Sequence, residues 1–224
     1  MNTATAIADE VAEVFGGACA LWHFDIPRDG RLADETVLSP AERSYAAALC
    51  ESARFRFVFV RSRLRERVSN YLGVTPGEVH FRRDSNGKLH LTGLHLHFNI
   101  SHTRGRALIA LSRTAPVGVD IERVRSIESS LAIGGRYFSA EDVRLLCAAA
   151  PWERTHIFLR AWTAREALLK ACGLGLTGLS AVKGLGFARI GADQLTVTFH
   201  RHTYRLCHFA RDKQYVAAVA LQVE

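Results

Sequence analysis

Features that would assign a protein class at once are scarce in these 224 residues. No apolar run approaches the ~20 residues that a membrane-spanning helix needs. The five cysteines are far apart and form no CxxC pair, so they suggest reduced thiols rather than a disulfide framework or a zinc site. Residues 1–13 have no basic residue before an apolar stretch, which is unlike a secretory signal. We therefore expect a cytoplasmic protein that does not enter a membrane.

The charge of the chain is unbalanced towards the positive side. A formal net charge of +7 and a pI near 9.5 favour an anionic partner, which is a nucleic acid, a phosphorylated cofactor or an acidic protein. Charge alone does not choose among these three. The basic residues are concentrated between Arg43 and Arg83, where a solvated helix face is an equally good explanation.

The order of predicted elements is similar in the two halves of the chain. Residues 39–42 place Ser, Pro and Glu in capping positions, which predicts one or two helices up to Leu72, ended by Gly73. The other patterns predict helices across 141–149 and 152–172, and strands near 19–26, 79–82, 88–91, 96–100, 106–112, 117–122, 195–200, 204–210 and 215–222. This order predicts an α+β protein of two similar, tightly packed lobes, residues 1–114 and 115–224.

Two carboxylates stand at the end of the apolar strand pattern that begins at Val117. Asp120 and Glu122 are two residues apart, so a strand places both on one face. Buried side by side they repel each other unless a cation or hydrogen-bond donors offset the charge, and Mg²⁺ prefers such hard oxygen ligands. The alternative is that Glu122 points into solvent and pairs with Arg123 or Arg125.

A stripe of three functional side chains lies on the predicted helix of the second half. Trp162, Glu166 and Lys170 are four residues apart in turn, so they share one helix face. An ordinary surface ion pair between Glu166 and Lys170 explains the same spacing. The apolar residues around the stripe and the glycine-rich segment 173–176 favour a face that lines a cleft.

A third polar group follows the apolar strand pattern near residue 98. Asn99, Ser101 and His102 lead into Arg104, and hydroxyl, imidazole and guanidinium groups are good donors to phosphate oxygens. A Ser-His hydrolase is disfavoured, because neighbours on a strand point to opposite faces and no GxSxG segment surrounds Ser101.

Together, segments 98–102, 118–122 and 162–167 with Lys170 resemble the signature of the Sfp-type (surfactin-synthetase-activating) 4'-phosphopantetheinyl transferases. The likeness extends over roughly residues 38–176. It implies a pseudo-twofold pair of similar α/β lobes in a monomer, with coenzyme A between them. It also implies that 4'-phosphopantetheine is transferred from coenzyme A to a serine of an apo acyl or peptidyl carrier protein, with release of 3',5'-ADP.

The resemblance further implies which residues carry this chemistry. Asp120, Glu122 and Glu166 are the expected ligands of Mg²⁺, or of Mn²⁺ in its place. Glu166 and Lys170 are the expected catalytic residues, as proton acceptor and as neutraliser of the pyrophosphate. The expected coenzyme A ligands are Arg43, Arg83, Lys88, Asn99, Ser101, His102, Asp120 and Lys170, with Ser101 and His102 on the 3'-phosphate.

Three positions depart from the family pattern. Tyr45 stands where a basic residue often meets the 3'-phosphate, with Arg43 as a substitute, while Leu89 replaces a proline and Arg165 a lysine. Other readings are a trimeric holo-acyl-carrier-protein synthase, an inactive coenzyme A-binding relative and a basic nucleic-acid-binding module. The first has chains of about half this length, and the last leaves the paired acids unexplained. We therefore expect neither a nucleic acid nor a membrane as a partner.

Overall fold

Five α-helices and nine β-strands occur among the residues that the computed structural model describes, which are 15–27, 34–187, 194–209 and 212–224. Residues 1–13, which lack the layout of a secretory signal, lie outside this part. The first half contains β1 (Ala20–Asp25), α1 (Pro40–Ala47), α2 (Glu51–Leu72), β2 (Phe81–Arg83), β3 (Leu89–Leu91), β4 (His97–Thr103) and β5 (Arg106–Ser112). The second half contains β6 (Val117–Arg123), α3 (Ser130–Tyr137), α4 (Ala140–Ala148), α5 (Pro151–Cys172), β7 (Gln194–Phe199), β8 (His202–Phe209) and β9 (Tyr215–Gln222). Short 3-10 helices occupy Pro76–Glu78 and Leu176–Ser180.

Helix α1 begins at the capping box that the sequence predicts. The Ser39 hydroxyl accepts a hydrogen bond from the Glu42 amide over 3.2 Å, and the Glu42 carboxylate accepts one from the Ser39 amide over 2.9 Å. Helix α2 ends at Gly73, whose φ of 72° lies in the left-handed region that glycine adopts without steric cost. The predicted helical region up to Leu72 is therefore confirmed as two helices.

The first half forms an antiparallel sheet in the order β1-β5-β4. Helix α2 covers one face of this sheet, where Phe59 and Leu64 share a core with Ile109. Strands β2 and β3 form a separate hairpin, whose turn contains Gly87 at a φ of 81°. The hairpin predicted from the Asn-Gly pair is therefore confirmed.

The second half forms an antiparallel sheet in the order β6-β9-β8-β7. Helix α5 lies on this sheet, where Ala164 and Leu168 share a core with Ala218 and Ala220 on β9. The small residues on both elements let the helix backbone approach the sheet closely. All the strands and the long helix predicted for this half are present, with ends that shift by one or two residues.

Helix α3 is the one described helix that the sequence did not predict. It is eight residues long and contains Gly134 and Gly135, and each glycine lowers helix stability by about 1 kcal/mol relative to alanine. A Cβ atom on Gly134 would lie 2.9 Å from a Leu146 methyl carbon of α4. Glycine is therefore needed for α3 to pack against α4, and this tertiary contact outweighs the poor local propensity.

The two sheets meet where β4 runs beside β6. The Asn99 side-chain oxygen accepts a hydrogen bond from the Val119 amide over 3.0 Å, and the Ser101 hydroxyl accepts one from the Ile121 amide over 3.4 Å. Side chains thus replace the backbone ladder between the sheets, and the whole is an α+β fold. Among the described residues, no helix is both long and apolar enough to cross a membrane.

Candidate active site

The centre of the site is Asp120 on β6, whose side chain is buried at the junction of the two sheets. Its Oδ1 atom accepts hydrogen bonds from the Lys170 ammonium over 2.6 Å and from the Ser101 hydroxyl over 2.9 Å. Lys170 also donates to the carbonyl oxygen of Val119 over 3.2 Å. Three elements that are distant in sequence, β4, β6 and α5, therefore converge on one carboxylate.

Gly118 makes this convergence sterically possible. A Cβ atom at this position would lie 2.0 Å from the carbonyl oxygen of Ala167 and 2.4 Å from the amide nitrogen of Ala171. Both distances are far below van der Waals contact, so only glycine lets the α5 backbone rest directly on β6. This close approach brings Lys170 within hydrogen-bonding distance of Asp120.

Two carboxylate oxygens of the site are buried without a hydrogen-bond partner. They are Oδ2 of Asp120 and Oε1 of Glu166. Burial, the charge of Asp120 and more weakly that of Glu122 raise the pKa of Glu166 to about 7, although Lys170 opposes the shift. Unpaired buried carboxylate oxygens are costly, and a bound cation offsets that cost.

Glu122 lies on the same face of β6 as Asp120, as the strand period predicts. Burial and then the charge of Asp120 raise the pKa of Glu122, while Arg125 and Lys170 lower it. In the described part of the chain, Glu122 forms no ion pair with Arg123 or Arg125. The reading in which Glu122 is a solvated, arginine-paired carboxylate is therefore not favoured.

The donor set suits a hard cation that takes part of its ligands from elsewhere. No group of three or more His, Cys, Asp or Glu side chains is close enough to hold a metal within residues 15–27, 34–187, 194–209 and 212–224. Mg²⁺ commonly takes one or two carboxylates and completes its octahedron with phosphate oxygens and water. The partnerless oxygens of Asp120 and Glu166 fit that requirement, and Glu122 lies near them.

Trp162, Glu166 and Lys170 form a stripe of partly exposed residues on the otherwise buried middle of α5. Trp162 stacks on Phe158 with 5.9 Å between ring centroids. Glu166 and Lys170 both line a cavity of about 740 Å³. The stripe thus faces a cleft, which agrees with the prediction from its apolar surroundings and not with an exposed ion pair.

The same cavity contains most of the basic residues that the sequence singled out. Its functional lining consists of Arg61, Arg83, Lys88, His102, Glu166 and Lys170, and Asn99 contributes to the wall. The cavity lies between elements of both halves of the chain. It therefore offers positive charge beside the acidic pair, which is the arrangement that a polyphosphate needs.

Ser101 and His102 are separated by the pleat of β4. Ser101 is buried and directed towards Asp120, whereas His102 lines the cavity. The crowding of protein atoms around the imidazole lowers the pKa of His102, and the nearby charges of Arg56 and Lys170 lower it further. The structure thus brings His102 to the cavity without Ser101, and it adds Arg56, which the sequence analysis missed.

Lys88 holds the C-terminal end of α5. Its ammonium donates to the carbonyl oxygens of Lys170 over 2.5 Å and Ala171 over 3.2 Å, and Asn86 donates to that of Gly173 over 2.8 Å. A cation at a helix C-terminus is favoured by the helix dipole. Burial lowers the pKa of Lys88. Besides lining the cavity, Lys88 therefore ties the β2–β3 hairpin to α5.

Arg43 is not among the residues that line the cavity. Its guanidinium is exposed and donates to the carbonyl oxygen of Leu38, whereas Tyr45 does line the cavity. Arg61 lines it as well, paired with Glu42 over 3.0 Å. No sequence signal distinguished Arg61 from the other arginines of α2, because only the tertiary structure supplies its acidic partner.

Arg165 is fully buried and faces away from the site. It forms a 2.6 Å ion pair with Asp142 and lies over the rings of Phe138 and Phe187. Asp142 also accepts the amide hydrogen of Phe187 over 3.0 Å. The charge that Arg165 shares with the lysine common in the family thus links α4 to α5 and does not enter the cavity.

Known proteins share both the motifs and their order. A family model described as the 4'-phosphopantetheinyl transferase superfamily matches residues 116–220, which include Asp120, Glu122, Glu166 and Lys170. The chain is 36% identical to 4'-phosphopantetheinyl transferase HetI of Nostoc sp. over 134 residues, which cover 58% of this chain and 56% of HetI. It is 31% identical to 4'-phosphopantetheinyl transferase psf-1 of Bacillus pumilus over 159 residues, 66% of this chain and 65% of psf-1.

A further relative is 4'-phosphopantetheinyl transferase Sfp of Bacillus subtilis, which is 33% identical over 115 residues, 51% of this chain and 50% of Sfp. The matched part therefore spans between half and just under two thirds of the length of these relatives.

Proposed function

Because the chain belongs to the 4'-phosphopantetheinyl transferase superfamily, of the Sfp type, we propose that it transfers 4'-phosphopantetheine from coenzyme A to a serine of an apo acyl or peptidyl carrier protein. The observation that carries this proposal is the meeting of Asp120, Glu166 and Lys170 beside a cavity with basic walls. Paired acids and cations at one point suit the transfer of a phosphoryl-linked group.

Asp120 and Glu166 hold Mg²⁺ in this proposal, with Glu122 as a third ligand and Mn²⁺ as an alternative ion. The partnerless buried oxygens of Asp120 and Glu166 support the assignment. When bound, the ion supplies positive charge to the pyrophosphate whose bond is broken. Lys170 keeps one oxygen of Asp120 occupied, so the other oxygen is free to face the ion.

The 740 Å³ cavity receives the nucleotide end of coenzyme A. Arg83 and Lys88 line the part formed by the β2–β3 hairpin, and Asn99 contributes to the β4 wall. His102, with Arg56 nearby, binds the 3'-phosphate. Ser101 acts indirectly in this scheme, because its hydroxyl orients Asp120.

Bond making and breaking are shared between two residues of α5. The serine oxygen of the carrier attacks the phosphorus next to pantetheine, and the bond to the departing 3',5'-ADP breaks. Glu166 accepts the serine proton, and a pKa of about 7 suits that exchange near neutral pH. Lys170 stabilises the negative charge that grows on the pyrophosphate oxygens.

The proposal extends to a monomer of two related lobes, residues 1–114 and 115–224, that acts in the cytoplasm. Support for the internal relation comes from α2 and α5, each of 22 residues and each ended by a glycine with φ of 72° or 74°. Each helix also covers an antiparallel sheet. Coenzyme A lies between the lobes, and no nucleic acid is involved.

Intact-mass analysis of apo carrier proteins tests the function. Carriers from fatty acid, polyketide, nonribosomal peptide and siderophore synthesis are incubated with the protein, coenzyme A and Mg²⁺. We expect at least one carrier to gain one phosphopantetheine, with 3',5'-ADP released, and no gain after chelation of divalent metal. If no carrier gains mass while an established transferase modifies the same preparations, the proposal fails.

A further inference from the structure

A second cavity, of about 680 Å³, lies at the other end of the junction between β4 and β6. Three arginines, Arg56, Arg104 and Arg123, line it together with Phe55 and Tyr215. We call it the arginine groove. It shares no lining residue with the 740 Å³ cavity described above.

The arginine groove has an excess of positive charge that no described carboxylate neutralises. Within the described ranges, none of its three arginines forms an ion pair, whereas buried or half-buried arginines elsewhere, such as Arg61 and Arg165, are paired with acids. Its one acidic lining residue is Glu51. Unpaired guanidinium groups beside apolar side chains make a surface complementary to an acidic partner.

Hydrogen bonds give the groove a fixed shape. Tyr215 is the cross-strand partner of Arg123 in the β6–β9 ladder. The Tyr215 hydroxyl donates to the carbonyl oxygen of Arg104 over 3.0 Å, and the Arg106 guanidinium lies 4.9 Å from the Tyr215 ring centroid. The turn that carries Arg104 is thereby fastened to the second sheet, so the guanidinium groups project from a pre-organised base.

The position of the groove relative to the site decides which anion fits it. Arg123 follows Glu122 directly and is three residues, roughly 10 Å along a strand, from Asp120. The nucleotide cavity reaches the site from the Lys88 side, and the groove reaches it from the Arg123 side. In an in-line displacement the attacking group approaches opposite the leaving group, so the groove lies on the acceptor side.

We propose that the arginine groove docks an acidic segment of the acceptor carrier protein, and that Arg104 and Arg123 select acidic carriers over neutral ones. The inference rests on the proposed function. It adds the chemistry by which this chain chooses an acceptor. The charges act mainly on encounter and docking, so they affect the Michaelis constant for the carrier more than turnover.

Charge reversal tests the groove. Arg104→Glu and Arg123→Glu are expected to raise the Michaelis constant for an acidic apo acyl carrier protein by roughly tenfold or more, with turnover and the dissociation constant of coenzyme A unchanged. Arg144→Glu, an equal charge change at an exposed position that lines neither cavity, is the matched control and should match the parent. Arg104→Gln is a milder variant for use where a reversal impairs folding.

Salt and carrier charge separate docking from other causes. The parent should lose affinity for the acidic carrier as ionic strength rises, because screening shortens from about 10 Å at 0.1 M to about 3 Å at 1 M. The reversed variants should show a weaker salt dependence and should prefer a carrier whose acidic residues have been changed to lysine.

Weaker binding of coenzyme A in Arg104→Glu and Arg123→Glu, with an unchanged Michaelis constant for the carrier, assigns the groove to the coenzyme and overturns the inference. Fluorescence anisotropy of a labelled acidic apo carrier, measured without coenzyme A, keeps the test independent of turnover. If the parent modifies no carrier, the proposed function fails. Salt-sensitive carrier binding that Arg123→Glu abolishes then still supports the groove, and its absence sinks it.

Discussion

The ammonium of Lys170 donates to Oδ1 of Asp120 over 2.6 Å, while Oδ2 of the same carboxylate is buried without a partner. The two oxygens of one carboxylate thus have different environments. The first is neutralised by the protein, and the second remains available to a cation. Such a division is useful in a site that must bind both a metal and a polyphosphate, because Lys170 fixes the carboxylate without filling it.

Asp120 should be indispensable for turnover but not for folding. Asp120→Asn keeps an acceptor for Ser101 and Lys170 and removes the negative charge, so turnover should fall by at least roughly a hundredfold with little change in melting temperature. Asp120→Ala should abolish turnover. Glu122→Ala should have a smaller effect, because water can replace a ligand near the strand end. Equal and mild effects of the Asp120 and Glu122 changes at saturating Mg²⁺ would count against the metal site.

The stability of the metal-free protein should fall as pH rises through the titration of Glu166. The pKa of this carboxyl is about 7 in the folded state and near 4.5 in the unfolded chain. Between these values the folded protein retains a proton that the unfolded chain has released, so the melting temperature decreases from about pH 4.5 to about pH 7.

Glu166→Gln should flatten that decrease, whereas Glu128→Gln, an exposed control, should not. Added Mg²⁺ should stabilise the parent more at pH 8 than at pH 6, because the ligand must lose its proton. Thermal unfolding in chelator and in Mg²⁺ measures both effects. Identical pH slopes for Glu166→Gln and the parent would show that the carboxyl does not titrate in this range.

His102→Ala should weaken coenzyme A binding with little loss of turnover. A donor to the 3'-phosphate stabilises ground state and transition state alike, so mainly the Michaelis constant for coenzyme A rises. Arg56→Ala should show the same pattern, and His95→Ala, an exposed histidine outside the cavity, should not. Steady-state kinetics with coenzyme A and dephospho-coenzyme A measure this. A variant that keeps the parental preference for coenzyme A would show that His102 has a different role.

Gly118→Ala should damage both the fold and the site. The added methyl group would overlap the backbone of α5 at Ala167 and Ala171, and such overpacking costs roughly 1–3 kcal/mol. Moving α5 away also separates Lys170 from Asp120, so turnover should fall at temperatures where the protein remains folded. Gly135→Ala is the control, because its Cβ would meet no atom within 4 Å. Denaturant unfolding and turnover should leave Gly135→Ala near the parent, and parental behaviour of Gly118→Ala would refute the close-packing argument.

The sequence by itself determined the local elements and the faces on which the functional residues lie. The capping box at Ser39, the helix end at Gly73 and the stripe from Trp162 to Lys170 depend on interactions within a few residues, so their patterns are readable along the chain. The shared face of Asp120 and Glu122 follows from the period of a strand. The order of the three motifs pointed to the family for the same reason.

The tertiary structure alone decided which side chains meet. Ser101 is directed to Asp120 and not to the cavity, and Arg61 is paired with Glu42, because packing of β4 on β6 and of α1 on α2 supplies those partners. Helix α3 forms despite its two glycines for a similar reason. The arginine groove joins residues from α2, β6 and the β4–β5 turn. Contacts between elements far apart in sequence leave no local pattern, so charge and spacing indicated an anionic partner without showing where it binds.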